Sequence, residues 1–168
     1  INILKKNKAR EIRVAESEEE ADKLLQIRAT MYLAINALSK ARIIEDVCVP
    51  IDRIIDYLAK VKELSQKYGL TIAMNGHAGD GNIHPSILYD PDNPEEVVKA
   101  NEVVDELIRY STDIGGTITG EHGVGLQKMR HLSYQLSLHN GPQVLGLMKG
   151  LKKLFDPNNI LNPGKYLD

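Results

Sequence analysis

Two strand-like runs joined by a short glycine-rich connection constrain the fold of this chain more than any other feature. Residues 70–75 and 83–89 are rich in the apolar residues that buried strands favour. Asp80-Gly81 lies between them, and this dipeptide is typical of a tight two-residue turn. Because the connection is too short for a crossover between parallel strands, the two runs must pair as an antiparallel hairpin.

The predicted turn also determines which side chains face each other. Counting outward from Asp80-Gly81 pairs position 79 with 82, 78 with 83 and 77 with 84. His77 is then directly opposite His84, with Cβ atoms about 4.5–5.5 Å apart on one face of the hairpin. Two imidazoles at that separation can share one divalent metal ion.

The remaining sequence pattern predicts helices and strands in an order typical of an α+β domain. An acidic run from Glu16 precedes an apolar stripe, which predicts a helix over about 17–41. Asn93 and Pro94 are typical of the start of another helix, with Glu96 placed to complete a capping box. The other predicted elements are a strand at 46–50, a helix from 51 to Gly69, a strand at 117–119 and a helix that opens near Pro142.

A second glycine-rich stretch, residues 115–125, offers a third ligand for such an ion. It contains Glu121 and His122 between glycines that let the backbone pass close to a ligand. If these two residues are extended, their side chains point to opposite sides, so that one can bind metal while the other addresses a substrate. Two histidines and one glutamate match a catalytic zinc site that keeps a coordination position open, and manganese or iron accept the same ligands.

Each of these features also has a purely structural interpretation. Glycine clusters usually form turns, and lone histidines are usually surface or hydrogen-bonded residues, as we expect for His131 and His139. Cys48 is expected to be a small buried apolar residue rather than a nucleophile, since no histidine lies near it in the sequence. On spacing alone, a metal site and structural glycine loops both remain open.

Composition limits the class of protein. The chain has 168 residues, 42% of them hydrophobic and 26% charged, which predicts one compact soluble domain. A net charge of −2 gives no indication of a nucleic-acid partner, and no apolar run is long enough to span a bilayer. A single cysteine cannot form an internal disulfide, which fits a reducing compartment. Because we find no signal peptide and no initiator Met, we expect a piece of a longer protein.

Three motifs occur in order along the second part of the chain. They are HAGDGNIH at 77–84, GEHGVG at 120–125, and a tail that runs from Asp156-Pro157 to NPGK at 162–165. Together they resemble the C-terminal region of the FAD-linked oxidases of the vanillyl-alcohol-oxidase superfamily. The resemblance runs from about Leu24 to the C-terminus and is greatest to the glycolate oxidase GlcD subunit and the D-lactate and D-2-hydroxyglutarate dehydrogenases.

The resemblance implies roles for residues of these motifs. It implies metal binding by His77, His84 and Glu121, and it implies that His122 is the catalytic base. Asn82 is implied to lie near the flavin. The cofactors implied are FAD, bound mainly by a domain outside this chain, and a divalent metal, zinc or manganese.

Arg28 resembles the family's arginine that holds the substrate carboxylate. The D-2-hydroxyglutarate branch has a threonine four residues after this arginine and a lysine just before the strand that ends in Pro50. This chain has Tyr32 and Ile44 at those positions, so a second, distal carboxylate loses its partners. The resemblance therefore predicts glycolate or D-lactate as the substrate rather than a diacid.

The resemblance also predicts the fold and the reaction. The fold is expected to be α+β, a ferredoxin-like antiparallel sheet with packed helices that forms part of the cap domain of a vanillyl-alcohol-oxidase-type flavoenzyme. Residues 1–168 are expected to be a single C-terminal cap or substrate domain fragment with 156–168 as its tail, the N-terminal FAD-binding domain being absent. The expected reaction is FAD-dependent oxidation of a small D-2-hydroxy acid to the 2-oxo acid, for which the fragment alone is inactive.

Further expectations concern partners, location and alternatives. An incomplete sheet with an exposed strand edge is prone to pair with another copy, which predicts a homodimer. The expected location is cytoplasmic, or peripheral to the membrane as part of a larger enzyme. The leading alternative function is a zinc-dependent hydrolase that uses the same His/His/Glu site to activate water. A third is a non-catalytic assembly module with structural glycine loops.

Overall fold

The computed structural model describes residues 1–138, 141–165 and 167, apart from the side chains of Arg28, Ala29 and Pro142. The chain divides into two compact units, Ile1–Leu38 and Ser39–Asp168. The elements in chain order are α1 (Asn2–Lys6), α2 (Glu18–Asn36), β1 (Ala41–Ile44), β2 (Val47–Cys48), a 3-10 turn (Ile51–Arg53), α3 (Ile54–Tyr68), β3 (Ile72–His77), β4 (Asn82–Tyr89), α4 (Pro94–Asp113), α5 (Gly125–Leu138) and α6 (Gly141–Phe155).

The first unit consists mainly of α2. Ser17 caps this helix, since its side chain accepts a hydrogen bond from Glu20 N at 3.2 Å, and the acidic first turn suits the helix dipole. The helix ends at Asn36, so the prediction that it extends to about residue 41 is wrong. Residues Ala41–Ile44 form β1 instead, because pairing with β4 satisfies their backbone groups.

The second unit contains an antiparallel sheet with β4 between its neighbours. β3 pairs along one side of β4, and β1 and β2 pair along the other. β1 and β2 share one register, since Ile44 pairs with Ser86 and Val47 pairs with Ile83. The break between them faces Pro85, whose carbonyl accepts a hydrogen bond but whose ring nitrogen has no N–H to donate. β1 and β2 are therefore one strand with a local interruption.

The order of these elements matches the first five elements of a ferredoxin-like fold. The strand made of β1 and β2 is followed by α3, then by the β3–β4 hairpin, and then by α4. Thr117, in the segment predicted as a strand, forms only an isolated antiparallel bridge with Cys48 of β2. The predicted α+β class and the predicted antiparallel hairpin are confirmed.

The hydrophobic core lies between the sheet and the helices α3 and α4. Ile83 and Ile87 of β4 belong to it, together with buried residues of both helices. Because side chains alternate along a strand, Asn82 and His84 point to the opposite face of the sheet. The polar residues of the hairpin are therefore carried on the side of the sheet away from this core.

Helix ends follow local sequence signals where those signals are strong. Gly69 ends α3 with a φ of +68°, a conformation that favours glycine. Asn93 caps α4, and its side chain accepts a hydrogen bond from Glu95 N at 3.1 Å. Glu96 accepts from Asp90 N at 2.8 Å and from the side-chain amide of Asn93 at 3.2 Å, so the predicted capping box forms only in part.

The sequence pattern does not predict α5. Its buried positions include the polar residues Lys128 and His131 beside Leu132 and Leu136, so no continuous apolar stripe marks the helix. Among the helices that the structure describes, none is long and apolar enough to cross a membrane.

Candidate functional site

The glycine-rich hairpin has a longer loop than the sequence predicts. His77 pairs with Asn82, so residues 78–81 form the connection between β3 and β4. The predicted two-residue turn at Asp80-Gly81, which placed His77 directly opposite His84, is therefore wrong.

Contacts within the loop explain its length. The carbonyl of His77 accepts hydrogen bonds from Asp80 N at 3.2 Å and from Gly81 N at 3.1 Å. Asp80 Oδ1 accepts from Asn82 N at 3.0 Å, which closes an Asx turn. Gly81 has a φ of +78°, and a Cβ at this position would overlap the carbonyl oxygen of Val49. The position therefore requires glycine.

His77 and His84 meet in spite of this difference. The observed register differs from the predicted one by two positions, and an even shift keeps each side chain on the same face of the sheet. The two histidines are therefore diagonal neighbours, and their rings lie edge to face with centroids 5.5 Å apart. The side chain of His84 is only 8% exposed, whereas that of His77 is 40% exposed.

Glu121 joins this pair from the glycine-rich loop after α4. Its Oε1 lies 3.2 Å from His84 Nε2 and 3.7 Å from His77 Nε2. One ligand atom from each of the three residues lies within 4.8 Å of the others. The structure thus brings together the three residues for which metal binding was implied, and the half-exposed Glu121 leaves one side open to water.

His122 reaches the same point. Its ring stacks on that of His84 with centroids 5.2 Å apart, and its Nε2 lies 3.7 Å from Glu121 Oε1. Glu121 and His122 therefore do not point to opposite sides, an arrangement expected only for an extended backbone. The backbone of residues 120–122 is curled rather than extended, because its successive N–H groups converge on one carboxylate, so the alternation of a strand does not apply.

That carboxylate belongs to Asp46, which was not among the residues singled out from the sequence. Its Oδ2 accepts hydrogen bonds from Thr119 Oγ1 at 2.7 Å and from the N–H groups of residues 120–122 at 2.9 to 3.0 Å. Burial alone would raise the pKa of Asp46, but these hydrogen bonds lower it to about 2. A charged residue at the start of a strand predicted to be buried is the sequence signal that could have identified Asp46.

The described residues contain two groups that could hold a metal ion. Besides His77, His84 and Glu121, ligand atoms of Asp46, His84 and His122 also lie close together. The Asp46 side chain is 1% exposed, and its Oδ2 already accepts four hydrogen bonds. Because Asp46 is buried and already engaged in these hydrogen bonds, the first group is the better candidate for chemistry.

A buried ion pair lies next to Asp46. Lys128 Nζ on α5 lies close to a carboxylate oxygen of Glu45, and it also donates to the main-chain carbonyls of Asp46 and Ile118. Burial raises the pKa of Glu45, although the positive charge of Lys128 acts in the opposite direction. Lys128 therefore ties the strand that carries Asp46 to the start of the loop that carries Glu121.

Asn82 lies against this loop. Its carboxamide contacts Gly120 so closely that a Cβ at Gly120 would overlap it. Asn82 Oδ1 is buried and has no hydrogen-bond partner within the part of the chain that the structure describes. A buried acceptor in this state fits a hydrogen-bond donor supplied by a bound group, and the implied role of Asn82 near the flavin stays a prediction.

A cavity of about 180 Å³ borders His122. The apolar side chains of Ile44, Val124 and Leu126 contribute to its walls. Ile44 brings no positive charge to this wall, and Lys128, which also lines the cavity, is paired with Glu45.

Two residues considered from the sequence fall outside what the structure describes. Arg28 belongs to α2, in the first unit, and its side chain is not among the described residues. Its expected role in binding the substrate carboxylate stays a prediction. His139 also lies outside the described residues, so the expectation that it is structural stays a prediction as well.

His131 has the structural surroundings expected of it, whereas Cys48 is less buried than predicted. Arg130 Nε donates to His131 Nε2 at 3.2 Å, and Asp105 Oδ1 lies 3.1 Å from the same nitrogen, so the prediction that His131 is hydrogen-bonded is confirmed. Cys48 is half-buried, and its Sγ donates to the carbonyl of Asp80 at 3.3 Å. Burial raises the pKa of the Cys48 thiol, which disfavours the nucleophilic thiolate.

Nearly the whole chain matches a known family. Residues 1–166 match the family described as FAD linked oxidases, C-terminal domain. The chain belongs to this family. The FAD-linked oxidase match includes both glycine-rich segments and the C-terminal NPGK motif, so the resemblance drawn from those motifs is confirmed.

Several curated relatives of this FAD-linked oxidase chain have names that state a reaction. Glycolate oxidase subunit GlcD of Bacillus subtilis (strain 168) is 39% identical over 163 residues, which are 97% of this chain and 34% of the relative. The mitochondrial D-lactate dehydrogenase (cytochrome) of Arabidopsis thaliana is 34% identical over 167 residues, 98% of this chain and 29% of the relative. Subunit GlcD of Escherichia coli (strain K12) is 34% identical over 166 residues, 99% of this chain and 32% of the relative.

This FAD-linked oxidase chain spans about a third of the length of the curated relatives it matches. The family match supports an oxidoreductase. Nothing in these comparisons supports the alternative of a zinc-dependent hydrolase.

Proposed function

We propose that the protein carrying this chain is an FAD-dependent dehydrogenase or oxidase that converts a small D-2-hydroxy acid, glycolate or D-lactate, to the 2-oxo acid. The observation that carries this proposal is the placement of three imidazoles around a single carboxylate oxygen, Glu121 Oε1. The family and the names of the relatives support the redox class and the size of the substrate. Since the chain spans about a third of those relatives, we infer that most of the FAD site lies elsewhere in the protein.

His77, His84 and Glu121 suit a divalent metal ion. Two imidazole nitrogens and a carboxylate oxygen are ligands that zinc prefers and that manganese accepts. The three side chains already converge, so binding an ion requires little rearrangement. The ion, when bound, supplies a Lewis acid that lowers the pKa of the substrate's 2-hydroxyl group.

His122 is the proposed general base. Its Nε2 is directed to the same Glu121 oxygen as the two proposed metal ligands, so a substrate hydroxyl at that point lies within its reach. The side chain of His122 is 55% exposed, which leaves room beside it for a small substrate. We assign to His122 Nε2 the acceptance of the hydroxyl proton.

Asn82 is the residue of the described hairpin that best fits a flavin contact. Its buried Oδ1 is an acceptor without a partner among the described residues, and it can accept a hydrogen bond from a flavin N–H group. When bound, FAD supplies the acceptor for the hydride that leaves the substrate C2. The proton held on His122 and that hydride together account for the two hydrogens lost by the hydroxy acid.

Two further residues are proposed to select the substrate. Arg28 is assigned the substrate carboxylate, because a planar guanidinium can bind a carboxylate through two parallel hydrogen bonds. Ile44 contributes an apolar wall to the cavity beside His122. We infer that this cavity takes a small substituent on C2 in preference to a second carboxylate, which Ile44 cannot pair.

Metal content and turnover of the full-length protein test this function. The parent is compared with a His77→Ala, His84→Ala double variant and with Glu63→Gln, which changes an exposed carboxylate of α3 that pairs with Lys60. We expect bound zinc, manganese or iron and dye reduction with D-lactate or glycolate in the parent and in Glu63→Gln. We expect both to be lost in the double variant.

Two results would contradict the proposal at different points. A double variant that retains its metal overturns the assignment of His77 and His84 as ligands. A metal-loaded, FAD-loaded parent that oxidises no D-2-hydroxy acid overturns the proposed reaction.

A further inference from the structure

Asp46 lies next to the proposed metal ligands, but it has no role in the reaction proposed above. It lies in the break between β1 and β2, and the shared register of these strands places it opposite His84. Its side chain is almost completely buried. Burial of a carboxylate costs free energy unless the group is paired or hydrogen-bonded. The contacts of Asp46 therefore indicate its role.

One oxygen of Asp46 organises the loop that carries Glu121 and His122. Oδ2 accepts the hydroxyl of Thr119 and the N–H groups of residues 120–122. These bonds impose the curled backbone that turns two adjacent side chains to the same point. Without an acceptor at this position, three backbone N–H groups would lose their partner.

The other oxygen of Asp46 faces His84. Oδ1 lies 3.8 Å from His84 Nδ1, which is buried and has no hydrogen-bond partner within the described residues. An imidazole that binds a cation through Nε2 carries its remaining proton on Nδ1. Asp46 is the acceptor placed to receive that proton as a hydrogen bond.

The main chain of Asp46 is fixed as well. Lys128 Nζ donates to the carbonyl of Asp46 and, at 2.9 Å, to that of Ile118. Both the side chain and the main chain of Asp46 therefore connect its strand to the loop that carries Glu121.

We propose that Asp46 is a positioning residue that acts on both halves of the cation site: it holds His84 in the tautomer with Nε2 free to bind the ion, and it holds the loop that presents Glu121. This role rests on the proposed function, because it requires a cation at His77, His84 and Glu121. Carboxylates that orient a metal-binding histidine typically change metal affinity 10- to 100-fold when they are removed.

Asp46→Asn is the most informative variant. The asparagine side chain has the same size, but its amide nitrogen can donate a hydrogen bond to His84 Nδ1. This contact favours the His84 tautomer that carries its proton on Nε2, and Nε2 then has no free electron pair with which to bind the ion. The loop also loses a charged acceptor. We expect cation affinity to fall by about 10- to 100-fold.

A second pair of variants separates the loop from the histidine. Thr119→Val removes the hydroxyl that donates to Asp46 and accepts from Gly123 N, and it leaves the contact between Asp46 and His84 in place. Thr119→Ser retains the hydroxyl. We expect a smaller loss of affinity in Thr119→Val than in Asp46→Asn, with near-parent affinity in Thr119→Ser. Asp52→Asn, in the exposed 3-10 turn, is the control for removal of a negative charge.

The measurement is competition of Zn²⁺ and of Mn²⁺ against a chromophoric chelator, in the full-length protein. It is combined with ¹⁵N chemical shifts of His84 in the zinc-loaded parent, which we expect to show the proton on Nδ1. Parent-like zinc and manganese affinity in folded Asp46→Asn overturns the inference but leaves the proposed function standing. If Asp46→Asn does not fold, equal affinities in Thr119→Val and Thr119→Ser overturn it. A parent that binds neither ion overturns the proposed function and this role together.

Discussion

Lys128 and Glu45 form an ion pair in the interior of the second unit, with Nζ 3.1 Å from Oε2 and side chains that are 5% and 4% exposed. A buried pair of this kind adds little to stability compared with apolar residues of the same size, but the loss of one partner leaves an isolated buried charge. Because Lys128 also holds the main-chain carbonyls of Asp46 and Ile118, the pair lies at the junction of the two segments that carry the site.

Lys128→Met is therefore expected to destabilise the protein strongly. It leaves Glu45 buried without a cation, which costs about 3–5 kcal/mol of the free energy of unfolding. Adding Glu45→Gln to this variant removes the isolated charge and should restore part of the loss. Urea unfolding at neutral pH measures both changes. A Lys128→Met protein within about 1 kcal/mol of the parent would contradict the structural role of the pair.

Glu45 also makes stability depend on pH. Burial raises the pKa of Glu45 in the folded protein above the ordinary value of 4.5. The Glu45 carboxyl therefore binds its proton more tightly in the folded state than in the unfolded state. The resulting stabilisation is fully present below pH 4.5 and is lost as the pH rises through the folded-state pKa.

Glu45→Gln removes this titration. The free energy of unfolding of the parent, minus that of Glu45→Gln, is expected to fall as the pH rises above 4.5. Glu63→Gln, on the exposed side of α3, is the matched control. A parent-minus-variant difference that rises with pH in the same window would show that folding does not raise the pKa of Glu45.

Gly81→Ala is expected to disrupt the hairpin loop. An alanine here must adopt a φ near +78°, which costs about 1–2 kcal/mol, and its Cβ would overlap the carbonyl of Val49. Gly79→Ala is the control, because nothing lies within 4 Å of a Cβ built at that position. Thermal or urea unfolding should show a loss of more than about 2 kcal/mol for Gly81→Ala alone. Equal stability of the two variants contradicts the observed loop.

The part of the site that depends on the alternation of side chains along a strand could be predicted from the sequence. His77 and His84 share a face in both the predicted and the observed register, because a shift of two positions preserves the face. The length of the turn could not be predicted, because Gly81 packs against the backbone of Val49, which follows β2 and is distant in sequence.

The convergence of Glu121 and His122 depends on a longer-range contact. Asp46, 75 residues before Glu121 and 76 before His122, imposes the loop conformation through hydrogen bonds that no local pattern indicates. Similarly, α5 was missed because Lys128 and His131 occupy its buried side, where a sequence-based prediction expects apolar residues. In both cases a buried polar contact takes the place of the hydrophobic periodicity on which such predictions rely.

His122→Ala is expected to abolish most turnover without affecting metal binding. Removal of a general base typically costs 10²- to 10⁴-fold in rate, whereas the proposed ligand set of His77, His84 and Glu121 remains intact. Steady-state kinetics with D-lactate and elemental analysis of the same preparation measure the two effects. Turnover equal to that of the parent removes His122 from the mechanism, and loss of the metal indicates that His122 is itself a ligand.

Ile44→Lys is expected to shift selectivity toward hydroxy acids with a second carboxylate. Ile44 lines the cavity beside His122, and Lys128, which also lines it, is already paired with Glu45. A lysine at position 44 would therefore provide a further ammonium group for a distal carboxylate. The ratio of kcat/KM for D-2-hydroxyglutarate to that for D-lactate should rise about tenfold or more, a change of about 1.4 kcal/mol in relative transition-state stabilisation. Ile55→Lys adds the same charge at an exposed position of α3 and should leave the ratio unchanged. If Ile44→Lys retains its metal and its activity on D-lactate but the ratio stays at the parent value, the cavity beside His122 does not receive the C2 substituent, and the predicted preference for glycolate or D-lactate must have another cause.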